Sequence, residues 1–104
     1  GNTWGISGYG NSLSSLKQQE DGSFIAVIKL SCMDDYYDDV TVNVTLTFKV
    51  SGGAIVLVSS SADDSDSEIV CNSIQFGSSH STITAKFSGN SEWDIPSSAS
   101  LTVK

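Results

Sequence analysis

The chain has 104 residues, enough for one domain with one hydrophobic core. Twelve acidic residues stand against five lysines, with no arginine and a net charge of −7. That balance excludes partners gripped through phosphate, so neither nucleic acid nor an anionic membrane surface is expected. No apolar run approaches the ~18 residues of a membrane-spanning helix.

In chain order, "TWGIS" at 3–7 reads as a short strand, and "NSLSSLKQ" at 11–18 as either an edge strand or irregular chain. "FIAVIKLSCM" at 24–33 is apolar on both faces, with Phe24, Ala26, Ile28, Leu30 and Cys32 on one and Ile25, Val27 and Met33 on the other. Such a strand belongs inside a sheet or under cover. After the polar stretch "DDYYDD", "VTVNVTLTFKV" at 40–50 alternates, with Val40, Val42, Val44, Leu46, Phe48 and Val50 on one side and Thr, Asn and Lys on the other. A period of two means a half-buried strand, and the two runs should form one long hairpin.

Beyond Gly52-Gly53, "AIVLVSS" at 54–60 is another apolar strand and "ADDSDSE" at 62–68 an acidic loop. "IVCNSIQF" at 69–76 is a strand with a kink expected at Asn72-Ser73. "TITAKF" at 82–87 turns Ile83, Ala85 and Phe87 inward. "SGNSEWDIPSS" is a loop, and "ASLTVK" at 99–104 closes the chain as a strand with Leu101 and Val103 inward. Seven or eight short strands and no amphipathic helix predict an all-β fold: an antiparallel β-sandwich, jelly-roll or immunoglobulin-like. Residues 1–104 form one such module. Gly1, in place of an initiator Met, reads as a boundary within a larger multimodular protein.

Catalytic chemistry is not expected. The one histidine, His80, lies in the Gly/Ser turn 77–81 beside Ser79 and Ser81, and sequence neighbours there point apart rather than forming a nucleophile–base pair. Calcium is the one cofactor the acidic clusters would suit, either Asp34, Asp35, Asp38 and Asp39 or Asp63, Asp64, Asp66 and Glu68. Neither follows EF-hand spacing, and aspartates also favour turns for their own sake. Cys32 and Cys71 form no CxxC motif; they would be either a disulfide in an oxidising compartment or two separate buried thiols.

The aromatics divide by chemistry. Phe24, Phe48, Phe76 and Phe87 fall on apolar strand faces and should be core. Trp4, Tyr9, Tyr36, Tyr37 and Trp93 fall among Gly, Asn, Ser or Asp. Indole and phenol combine a flat apolar face with a polar edge, which suits a half-wet surface. A pyranose is two-sided in the same way, so it can stack while its hydroxyls stay solvated. Each stacked ring would contribute roughly 1–2.5 kcal/mol at ~25 cal/mol/Å² before ordering costs. The competing structural roles are that Trp4 pins the N-terminal strand and Trp93 plugs the end of the core. If 36–37 is extended, the two tyrosines point to opposite sides and one ring at most joins a flat platform.

The size, strand pattern, Ser/Thr/Asn richness and loop aromatics resemble the non-catalytic carbohydrate-binding modules of plant-fibre-degrading, cellulosome-type bacteria. The tail "STITAKFSGNSEWDIPSSASLTVK" is similar to the final hairpin of several such families, in which a Trp-bearing segment and a small-residue turn precede the last strand. The resemblance implies a secreted, monomeric module that binds neutral polysaccharide (β-glucan or cellulose, xylan or mannan) and targets an appended glycoside hydrolase. It makes Trp93 the first stacking candidate, then Trp4, Tyr36 and Tyr37, with Tyr9 last. Asn72, Gln75 and Asn90 would supply polar contacts by residue type. The alternatives are an immunoglobulin-like spacer or adhesin domain without a small ligand, and a calcium-dependent lectin-like module.

Overall fold

Alternation along 40–50 buries Val42, Val44, Leu46 and Phe48 and leaves the intervening positions at the surface. The same period in 24–33 buries Ala26, Ile28, Leu30 and Cys32. The computed structural model describes residues 4–7, 11–77 and 82–103, with side chains described over 16–77 and 82–100. It is an all-β sandwich of eight strands: β1 (Trp4–Ser7), β2 (Asn11–Gln18), β3 (Phe24–Met33), β4 (Asp39–Ser51), β5 (Ala54–Ala62), β6 (Val70–Phe76), β7 (Thr82–Ser88) and β8 (Ser98–Val103).

Two four-stranded antiparallel sheets have the orders β1-β8-β7-β6 and β2-β3-β4-β5. Hairpins join β2 to β5 in one sheet and β6 to β8 in the other, where β1 is added beside β8, so the order is not an interleaved jelly roll or Greek key. The chain changes sheet after β1 and again after β5. The doubly apolar strand β3 is interior, between β2 and β4, which explains why Ile25 and Val27 on its outer side are only half exposed. The stretch 11–18 resolves as the edge strand β2, with a bulge between Leu13 and Ser15.

The core lies between the sheets. One side supplies Ile28, Leu30, Leu46 and Phe48; the other supplies Ile74, Ile83, Ala85, Phe87 and Ala99. Full burial of a ring such as Phe48 is worth about 1.5–3 kcal/mol. Phe24 stacks on Phe48 with centroids 5.4 Å apart and planes 17° apart, which seals one end of the barrel-like interior. Phe24 and Phe76 are half-buried at the core margin. Val50 keeps the inward phase of β4 but lies past the end of the core and is exposed.

Turn chemistry sets the register. Gly52 and Gly53 have φ of 59° and 77°, the mirror-image turn that a two-residue hairpin requires, so Ser51 faces Ala54. The kink expected at Asn72-Ser73 is a bulge between Cys71 and Ser73. No helix is long and apolar enough to cross a membrane among the described residues.

Candidate functional site at the acidic end

Antiparallel pairing sends the β3–β4 turn, the 63–69 crossing and the β7–β8 loop to the same end of the sandwich. Met33 and Asp94 form an isolated bridge, with reciprocal backbone bonds of 3.0 and 2.8 Å. The Asn90 N–H donates to the Ser67 carbonyl at 2.7 Å, tying the loop to the crossing. Asn43 donates through its backbone N–H and its amide to the two carboxylate oxygens of Asp63, at 2.9 and 2.7 Å. These ties place Asp34, Asp35, Asp38 and Asp39, then Asp63, Asp64, Asp66 and Glu68, then Glu92 and Asp94 at one end. Glu20 and Asp21 lie in the β2–β3 turn at the other end. The described lysines are elsewhere: Lys17, Lys29 and Lys49 are on β2, β3 and β4, and Lys86 is on β7.

Tyr36 and Tyr37 crown this end, 79 % and 83 % exposed. Their turn is tightly specified. The Tyr37 N–H donates to the Asp34 carbonyl at 3.1 Å, and the Asp34 N–H donates to the Asp38 carbonyl at 3.0 Å. The Asp34 carboxylate accepts from the backbone N–H groups of Tyr36 and Asp38, both at 2.9 Å. Tyr37 closes the turn in the left-handed region, with φ of 65°. This is a type I turn followed by a left-handed residue, a three-residue hairpin loop that ordinarily takes glycine there. The pair is therefore not extended, and the expectation of rings on opposite sides of a strand does not apply.

Immediately below the turn is an open concavity of about 750 Å³, lined by Ser31, Cys32, Met33, Asp39, Val40, Thr41, Asp94 and Pro96. Hydroxyls and carboxylates border an apolar floor there. Of these residues, sequence reasoning singled out Asp39 and Cys32 for other roles and missed Ser31, Thr41 and Asp94. The signal lay in the long hairpin: β2 begins opposite Leu30, so β3 and β4 project past it, and Asp94 comes in beside Met33 on that open side.

The other named residues divide. Trp93 is at the same end but half-buried and packed against the core, so it is a wall of the end rather than an open platform. Trp4, opposite Val103, begins β1 at the far end of its sheet and does not join Trp93. Its side chain, Tyr9 and His80 lie outside the residues whose side chains are described. Asn90 is committed to the fold: its amide donates to the Asp66 carbonyl at 3.1 Å and its oxygen accepts from the Glu92 N–H at 3.0 Å. Asn72 and Gln75 are exposed on β6, in the opposite sheet from the tyrosine turn, and Asn72 accepts from the Ser88 hydroxyl at 3.2 Å.

Asp34, Asp35, Asp38 and Asp39 do not converge as metal ligands, and no group of three or more His, Cys, Asp or Glu is arranged to hold a metal among the described residues. The reason is local: one oxygen of Asp34 caps two backbone donors of its own turn. Likewise Asp64 accepts from the N–H of Asp66 and Ser67 to start the short 3-10 turn Ser65–Ser67. Of the two readings open for Cys32 and Cys71, the structure shows two free, buried thiols. Each donates to a carbonyl on its own strand, Cys32 to Leu30 and Cys71 to Ser73. Burial pushes both thiols above their usual pKa; for Cys32 the nearby Asp64 and Asp94 add to it. The Asn43 donors hold the Asp63 carboxyl below the usual range, so its link to β4 is strongest while ionised.

No family model, curated protein or solved structure matches this chain.

Proposed function

We propose that this is a secreted, non-catalytic module that binds neutral polysaccharide at its acidic end, through Tyr36, Tyr37 and the concavity beneath them, and so holds an appended glycoside hydrolase near plant cell-wall glycan. The observation that carries the reading is the exposure of two adjacent tyrosines on a turn whose backbone is fixed by four hydrogen bonds. A fixed platform loses little entropy when a ligand lands on it. Asp39, Asp94, Ser31 and Thr41 offer acceptors for sugar hydroxyls beside it. The surrounding carboxylates repel uronic acids and phosphates, which restricts the ligand to neutral chains. Trp93 serves by bracing the loop that carries Asp94.

Electrophoresis in gels containing soluble β-glucan, xylan or mannan, with and without EDTA, tests this. Retardation by at least one glycan, unchanged by EDTA and reduced at least about tenfold in affinity by Tyr36→Ala/Tyr37→Ala, is expected. No retardation on any of them, or full retention in the double variant, overturns it and leaves a spacer domain. Loss of retardation with EDTA would instead indicate a calcium-dependent lectin.

A further inference from the structure

Antiparallel partners share a face of their sheet. Met33 bridges Asp94 on one side and pairs with Asp39 on the other, so carboxylate, thioether and carboxylate stand in one row across three adjacent backbones. That row is on the face away from the core, because the alternate residues Leu30, Cys32 and Val42 are the buried ones. Two residues further along the hairpin, Ser31 stands beside Thr41, and two further again Lys29 stands beside Asn43. Lys29, Ser31 and Thr41 are exposed, and Asn43 is half-buried. Three polar rows therefore lead from the tyrosine turn down the outside of β3 and β4.

The concavity has its carboxylates at the sides. Asp94 and Asp39 flank Met33 at two strand spacings, roughly 10 Å apart at Cα. A chain lying over Met33 passes between them, along the hairpin axis. One way leads to Tyr36 and Tyr37, the other to Ser31 and Thr41 and then to Lys29 and Asn43. From the Met33 row to the Lys29 row is about 14 Å at ~3.4 Å per residue, and the turn adds length at the other end. Asn43 is held in place there, because Asp63 accepts from both its backbone N–H and its amide at 2.9 and 2.7 Å. Lys29 offers donors only, whereas ionised Asp39 and Asp94 offer acceptors only. A hydroxyl satisfies either kind.

We propose that the glycan site extends down this face and takes an internal stretch of uncharged polysaccharide at least about four sugars long, an inference that rests on the reading that a glycan lands at the tyrosine turn. It adds a course for the chain and two contacts, Lys29 and Asn43. Charge limits the occupant. An anionic chain is repelled at Asp39 and Asp94 and a cationic chain at Lys29, while sugar hydroxyls donate to the carboxylates and accept from the ammonium. Beyond Lys29 the same face continues with Val27 beside Thr45, so the chain need not end there.

Calorimetric titration with oligosaccharides of two to six units from β-glucan, xylan and mannan tests the proposal. In at least one series, affinity should rise about tenfold or more from two units to four. Lys29→Ala, at an exposed site, should weaken the four-unit ligand at least about threefold, leaving the two-unit ligand and the melting temperature unchanged. Lys86→Ala removes the same charge from the other sheet and should change neither ligand. Affinity that is level from two units upward overturns the inference while the site at the turn stands. So does Lys29→Ala that binds four units as the parent does, or Lys86→Ala that weakens them equally. No binding in any series overturns the inference together with the reading beneath it.

Discussion

Tyr37 occupies a backbone position that penalises it. A left-handed conformation costs an L-residue about 1–2 kcal/mol, while glycine there loses roughly 0.5–1 kcal/mol through its freer unfolded chain. Tyr37→Gly should therefore raise stability by up to about 1 kcal/mol in denaturant titration while weakening glycan binding. A loss of stability would mean that the ring itself supports the turn. Retention of a costly residue at an exposed position is what a functional role for the side chain would produce. The thiols make a second claim at this scale. Both are buried with raised pKa, so neither is a ready thiolate at neutral pH. Ellman's reagent should label the native protein slowly and label two thiols on unfolding without reductant; none released on unfolding would mean the pair is oxidised.

Elements explain why some of this was legible and some was not. β3, β4 and β7 were readable because alternation of side chains reports burial directly, and Ile83, Ala85 and Phe87 are buried as their phase required. The kink at Asn72-Ser73 was visible because a polar pair interrupts an apolar run. The 63–69 crossing was not legible as structure, because its order comes from contacts distant in sequence. Ser67 is fully buried there, its hydroxyl donating to the Asp64 carbonyl at 2.7 Å. Gly89 allows the β7–β8 loop to lie against it: a Cβ at Gly89 would be 2.7 Å from the Ser67 carbonyl oxygen and 2.6 Å from Ile95 Cδ1. Gly89→Ala should cost about 1–3 kcal/mol in thermal or denaturant unfolding. A neutral result would show that crossing and loop can separate freely.

Across the whole molecule, the −7 charge is polarised more than its sum suggests. Composition revealed the missing arginine, but only topology reveals that three separate acidic segments gather at one end while Lys17, Lys29 and Lys49 lie along one sheet. The same topology separates Trp4 from Trp93 and leaves Tyr36 and Tyr37 exposed at the acidic end, where Trp93 is half-buried against the core. Cross-strand neighbours such as Met33 and Asp94 are 61 positions apart in the chain, and no local pattern announces them.

The account turns on where a glycan lands. Titrating ¹⁵N-labelled protein with oligosaccharides of β-glucan, xylan and mannan should shift the amides of the 34–39 turn, of Ser31 and Thr41, and of Asp94, leaving β6 and the β2–β3 turn unmoved. Shifts centred on β6 or on β1, or no shift with any of the three at millimolar sugar, would contradict it.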